Sequence, residues 1–191
     1  MAYATLAELR ALLGYEPANV DDDALLTALL GRAQAIIEQR TGRRFEAVAA
    51  TRYYDPTRDC LGQTLRLDAD LLEPTLMRNG NGATVSASQY VLRPSGGPPY
   101  RQIVLKASSG LIWTYVDDPE DAISITGSWG YSASAPPDIV QATLRLAAYM
   151  YRQKDAQVYD VSAEPSAGVI TVPQGIPRDV RLTLDSYREL L

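Results

Sequence analysis

Histidine is absent from the 191-residue sequence. With it go the commonest general base, the commonest zinc ligand and the usual pH switch. Cysteine occurs once, at Cys60, so no disulfide can form within the chain and oxidative secretion is not indicated. Cys60 reads as a small apolar residue, buried or half-buried. No apolar run approaches the ~18 residues that cross a bilayer. The leading stretch MAYATLAELRALLG carries Glu8 and has no basic run before an apolar one. It is not read as a signal peptide, and the expectation is a protein made in the cytoplasm. Positive charge is not in excess either: the net charge is −5 and the pI near 4.8. That sign argues against gripping nucleic acid by neutralising phosphates, though not against letting DNA slide past. Lysine is scarce and no Ser-x-x-Lys occurs, which removes that hydrolase nucleophile as well.

What is present is ordinary globular material, 46% hydrophobic and 21% charged. It suits one domain with room for two packed lobes. The first helix is announced by Thr5-Leu6-Ala7-Glu8, a capping box in which the Thr side chain accepts from a free N–H and Glu reaches back. Leu6, Leu9, Leu12 and Leu13 share a face, and Gly14 stops the helix. Asp21, Asp22 and Asp23 open a second helix as N-cap and first-turn acids facing the macrodipole. A metal site there would need further acids at EF-hand spacing, which do not follow. Leu25, Leu26, Leu29, Leu30, Ala33, Ile36 and Ile37 give this helix a wide apolar stripe, predicting burial on more than one side. Gly42 ends it, among Arg40, Arg43 and Arg44.

From Phe45 the texture becomes β-branched and aromatic, broken by turn signals. The candidate strands are 49–54, 64–67, 76–78, 90–92, 103–106, 111–113 and 122–126. Asn79-Gly80-Asn81-Gly82 reads as a turn, because it lacks the Lys-Ser/Thr and following helix of a phosphate loop. Asp117, Asp118, Glu120 and Asp121 form an acidic patch beside Pro119. It reads as a solvated loop, with a weak divalent-cation site as the rival.

Helical periodicity returns at Pro137, a suitable first-turn residue. Ile139, Val140, Thr143, Leu144, Ala147, Ala148 and Tyr151 make two adjoining apolar stripes. Residues 155–175 are polar, small and proline-bearing, and read as a long flexible arm. Pro177 starts a last helix with Val180, Leu184, Tyr187 and Leu191 on one face. The expected fold is α+β: a four-helix core from residues 1–44 and 135–191, with an inserted antiparallel β-rich lobe at 45–134.

Nothing in this pattern assembles into catalytic chemistry, and no enzyme activity or cofactor is expected. The carboxylates sit at helix starts and turns, where structure accounts for them. The twelve tyrosines offer one rival function. Tyr53, Tyr54, Tyr90, Tyr100, Tyr115 and Tyr131 run through the strand region and could line a sugar-binding face, making a carbohydrate-binding module. Such tyrosines also serve as half-buried core or as protein–protein anchors.

Three stretches carry a family resemblance. YATLAELRALLG, followed by DDDALLTALLGRAQAIIEQRTGRRF, gives a short helix, a longer one and a Thr-Gly-Arg-x-Phe turn. ISITGSWGYSASAPPDIVQATLRLAAYMYRQKD gives a strand ending in Gly-x-Trp-Gly-Tyr, a Pro-rich loop and a helix opened by proline. GIPRDVRLTLDSYREL gives a closing helix. In order and spacing this resembles the head–tail connector (adaptor) proteins of long-tailed double-stranded-DNA bacteriophages and gene transfer agents. The resemblance implies a structural virion protein forming a ring, typically twelve-fold, under the portal. It implies a lengthened DNA channel without sequence-specific binding, and a docking surface for a neck or tail-terminator protein. Its place would be the head–tail joint of the virion, and the host cytoplasm during assembly. A tail-side neck or tail-completion protein is the nearest alternative. On this reading the arm residues Ser162, Ala163, Glu164, Pro165, Ser166, Ala167, Gly168, Val169 and Ile170 contact the portal or a neighbouring subunit. Leu25, Leu29, Ile36, Leu144, Ala148 and Tyr151 are the expected ring-core packing.

Overall fold

A computed structural model describes residues 3–16, 20–156, 162–164, 169–171 and 175–188. The chain divides into two compact units, one of Met1–Gly42 with Pro136–Leu191, the other of Arg43–Ala135. The fold class is α+β, with four helices and an antiparallel sheet.

The first unit is built from α1 (Leu6–Leu13), α2 (Asp23–Thr41), α3 (Pro137–Ala156) and α4 (Arg178–Tyr187). The capping box forms as the sequence predicts: Glu8 N–H donates to the Thr5 hydroxyl at 3.2 Å, and Thr5 N–H to the Glu8 carboxylate at 2.7 Å. Those bonds to the carboxylate hold the Glu8 carboxyl below its ordinary value. Gly14 and Gly42 close α1 and α2. α3 packs on α1, α2 and α4, so its wide apolar surface has a helix for each part of it. Leu9, Leu26, Ala33, Ile37, Ile139, Leu146, Ala147 and Leu184 are almost wholly buried. Burying each leucine or isoleucine side chain contributes about 1.5–3 kcal/mol.

Two expectations change here. Asp22 occupies the N-cap position of α2, but its side chain makes no cap hydrogen bond. Its carboxylate accepts instead from the Tyr15 hydroxyl at 3.1 Å and from the Tyr151 hydroxyl. The two hydroxyls also touch; with one proton each, a Tyr15–Tyr151 hydrogen bond alternates with one of the donations to Asp22, and the rings meet edge to face with centroids 6.1 Å apart. Tertiary partners thus outcompete the local cap. Second, the stretch read as a flexible arm contains two strands, β7 (Ser162–Glu164) and β8 (Val169–Thr171). They pair antiparallel, Ser162 opposite Thr171 and Glu164 opposite Val169. Pro165, Ser166, Ala167, Gly168 and Leu191 lie outside the described residues.

The second unit is one sheet in the order β1-β6-β3-β5-β4, with β2 (Cys60–Leu61) paired to β3. β1 is Val48–Tyr54, β3 Thr64–Arg78, β4 Tyr90–Arg93, β5 Tyr100–Leu105 and β6 Ile123–Trp129. The sequence pattern predicts separate strands at 64–67 and 76–78, since Asp68, Asp70, Glu73 and Pro74 between them are poor strand formers. The strand continues because those residues are accommodated. Asp68 accepts from the Tyr54 hydroxyl at 2.7 Å, Asp70 is paired with arginine, and the β6 register shifts next to Pro74. Leu65, Leu67, Leu71 and Met77, all at odd positions, enter the core with Ile103, Leu105, Trp113, Ile123, Ile125 and Trp129. Residues 111–113 are not a strand: Trp113 is buried, but the backbone around it is irregular. Asn79–Gly82 is the turn expected, with Gly82 N–H bonded to the Asn79 carbonyl at 2.8 Å.

Candidate assembly surfaces

The Thr-Gly-Arg-x-Phe and Gly-x-Trp-Gly-Tyr elements meet at the base of the sheet. Tyr131 N–H donates to the Arg44 carbonyl at 2.7 Å, and the Ser132 hydroxyl to the Phe45 carbonyl at 3.1 Å. Phe45 is fully buried and packs on the Tyr131 ring, centroids 5.5 Å apart. The Arg43 guanidinium lies 5.3 Å over the other partner of this stack, Tyr131. It also donates to both Asp70 oxygens at 2.9 Å, and Arg101 approaches the same carboxylate at 3.4 Å. Asp70 is 3% exposed, a buried anion held by two cations. Burial lowers the Arg101 pKa, against the opposing pull of Asp70. Gly130 N–H donates to the Asp70 carbonyl at 2.8 Å, and a Cβ on Gly130 would stand 2.8 Å from the Ala47 Cα. Trp129 donates its indole N–H to the Ala50 carbonyl at 3.0 Å, with Arg52 5.0 Å above the ring. The aromatic run is therefore a structural knot. No sequence signal marked Asp70 as its centre, because a lone acid within a strand pattern reads as solvent-facing.

The expected ring-core residues fall into two groups. Leu144, Ala148 and Tyr151 are buried within the helical unit. On α2, Leu25 is 38% exposed and Leu29 and Ile36 are half-buried, while Leu26, Leu30, Ala33 and Ile37 take the core. The α2 stripe is wider than its own bundle covers. Ser162, Ala163, Glu164, Val169 and Ile170 lie in the β7–β8 pair.

The tyrosines do not form one platform. Tyr54 is 3% exposed, its hydroxyl held by Asp68, and burial followed by that bond raises its pKa. Tyr53 is on edge strand β1 and Tyr90 on the opposite edge strand β4. Four inter-strand spacings separate those edges, about 19 Å. Cys60 is half-buried, and burial, with help from the Asp59 charge, pushes its thiol up to about 12.

Two further surface features have defined shapes. A groove of about 320 Å³ on the helical unit is lined by Leu12, Gln141, Arg145, Ala148, Tyr149, Arg152 and Pro177. In the β unit, the segment around Trp113 exposes Ile112, Tyr115 and Val116. It is pinned by the buried Asn79, whose amide donates to the Ile112 carbonyl at 2.8 Å and whose side-chain oxygen accepts from Thr114 N–H at 3.1 Å. A Cβ on Gly80 would lie 2.2 Å from the Thr114 carbonyl, so only glycine permits that approach. Among the described residues no cluster of three or more Cys, Asp or Glu is arranged to hold a metal ion. No described helix is long and apolar enough to cross a membrane.

No protein-family model and no curated protein matches the chain. Solved structures do. A chain from the neck of an empty GTA particle, computed with C6 symmetry, aligns at a TM-score of 0.61 and 21% identity, covering 99% of this chain and 91% of the other. A chain from the neck of a native GTA particle, computed with C12 symmetry, aligns at 0.59 and 22% identity, covering 97% and 88%. A chain from the virion of a native gene transfer agent (GTA) particle aligns at 0.60 and 21%, covering 99% and 91%. The fold of this chain is the fold of those particle components over almost its whole length.

Proposed function

We propose that this chain is a structural subunit of the neck of a phage-like particle, a head–tail connector that forms a ring under the portal. In that place it extends the DNA channel and offers the docking surface for the next neck or tail protein. The observation that carries the reading is the full-length fold match to chains from symmetric gene transfer agent necks and virions. The family resemblance of the terminal stretches supports it independently of the fold.

The physical features suit such a role. A ring of chains each carrying −5 repels phosphates along its wall, so DNA passes without adhering. The partly exposed α2 stripe at Leu25, Leu29 and Ile36 offers apolar surface for a neighbouring copy. The 155–175 region, with its β7–β8 pair, is the element assigned to the portal or to a neighbouring subunit.

Native mass spectrometry and negative-stain electron microscopy of the purified full chain test the oligomeric part. Closed rings, twelve-membered by this account, are the expected result. A chain that stays monomeric at high concentration, alone and with portal-bearing heads, contradicts it.

A further inference from the structure

The groove on the helical unit has a distinctive chemistry. Leu12 of α1, Ala148 and Tyr149 of α3, and Pro177 supply apolar walls. Arg145 and Arg152 stand on the exposed stripe of α3 beside them. Arg145 shares its charge with Asp179 at 2.8 Å, both side chains being about half exposed, and Arg152 is exposed. Such a groove suits an apolar knob with negative charge next to it.

The 112–121 segment of this same chain has that composition. Ile112, Tyr115 and Val116 are 65%, 42% and 68% exposed. Asp117, Asp118, Glu120 and Asp121 follow, all exposed, and none makes an ion pair among the described residues. The segment is held rather than loose. Trp113 is buried with its indole N–H on the Gln63 carbonyl at 3.0 Å, Asn79 grips both sides of it, and Asp121 N–H donates to Asp55 at 2.6 Å. A knob fixed in advance gives up little entropy when it docks.

We propose that the 112–121 segment of one copy seats in the Leu12–Tyr149–Arg152 groove of the next copy. The proposal rests on the ring reading above. Two different patches in contact make a heterologous interface, which propagates head to tail and closes into a ring when the rotation permits. The carboxylates at the knob's edge face the α3 arginines, so the contact weakens as salt rises.

The test uses full-length chain carrying Cys60→Ser, Leu12→Cys and Val116→Cys, all at partly or fully exposed positions, treated with a short bis-maleimide. The seated contact gives a ladder of covalent multimers, because each copy carries both halves of the link. The two single-cysteine controls give dimers at most. Rings by native mass spectrometry with no ladder overturn this contact and leave the ring reading standing. Absence of rings for the unmodified chain, both alone and with portal-bearing heads, overturns both. As a second readout, Arg152→Glu changes an exposed side chain and leaves the thermal melt unaltered. It raises the concentration for half-assembly on the order of tenfold or more, through like-charge repulsion. An unchanged assembly concentration contradicts the proposal.

Discussion

Tyr131 donates its backbone N–H to the Arg44 carbonyl at 2.7 Å, and this one bond ties together the two sequence elements that frame the β unit. The strand region closes on Trp-Gly-Tyr because each residue has a separate task there. Trp129 fills the core, Gly130 allows the backbone to pass Ala47, and Tyr131 stacks on Phe45 beneath Arg43.

Asp70 is the buried charge of this knot. Asp70→Ala leaves Arg43 and Arg101 facing each other without their anion, and lowers stability by about 3–5 kcal/mol. Asp179→Ala, which breaks the half-exposed pair with Arg145, costs at most about 1 kcal/mol. Urea unfolding of the two variants side by side checks the contrast. Equal losses would mean that Asp70 is not buried as described.

Gly130→Ala forces a Cβ to within 2.8 Å of the Ala47 Cα, a backbone atom that no side-chain rotation can move aside. The expected loss is about 1–3 kcal/mol, the range for overpacking. Gly62→Ala, where no atom lies within 4 Å, brings only the milder strain of its positive φ. Thermal melts separate the two.

The four helices were legible because their signals are local: a capping box at Thr5–Glu8, glycine stops, and apolar spacing of three and four. Most of the strands were legible from β-branched runs and turn residues. The single strand Thr64–Arg78 was not, because its acids and Pro74 are tolerated only through partners remote in sequence, Arg43, Tyr54 and Arg101 among them. The Asp22 role was hidden for the same reason, since Tyr151 lies far along the chain. Surfaces that the fold leaves uncovered leave still less trace. Leu25 and Ile36 look like core in the periodicity, and only the fold reveals how much of α2 its own bundle leaves uncovered.

Stability falls as pH rises above about 9. Burial pushes the Cys60 thiol up from 9.0 to about 12. Tyr15 is raised from 10.0 by its hydrogen bond to Tyr151, then by burial and Asp22; Tyr54 is raised by burial and Asp68. In the unfolded chain these groups ionise at their ordinary values, so between about pH 9 and 12 the unfolded state binds fewer protons than the native one. The urea midpoint therefore drops from pH 8 to pH 11, and Tyr54→Phe makes the drop shallower. A midpoint that is level across this window contradicts the burial of Cys60 and Tyr54 and the hydrogen bonding of Tyr15.

Deleting residues 162–168 removes β7, the partner strand of β8. The account predicts a chain with unchanged helical circular dichroism and a thermal melt within a few degrees of the parent, but several-fold weaker attachment to DNA-filled heads. Co-sedimentation with purified heads measures this. Undiminished attachment removes the arm from the portal contact.

The most direct measurement is electron microscopy of particles from a producing strain with this gene disrupted. The account predicts separate heads and finished free tails, with heads that leak their DNA. Intact particles with joined tails would contradict the connector function.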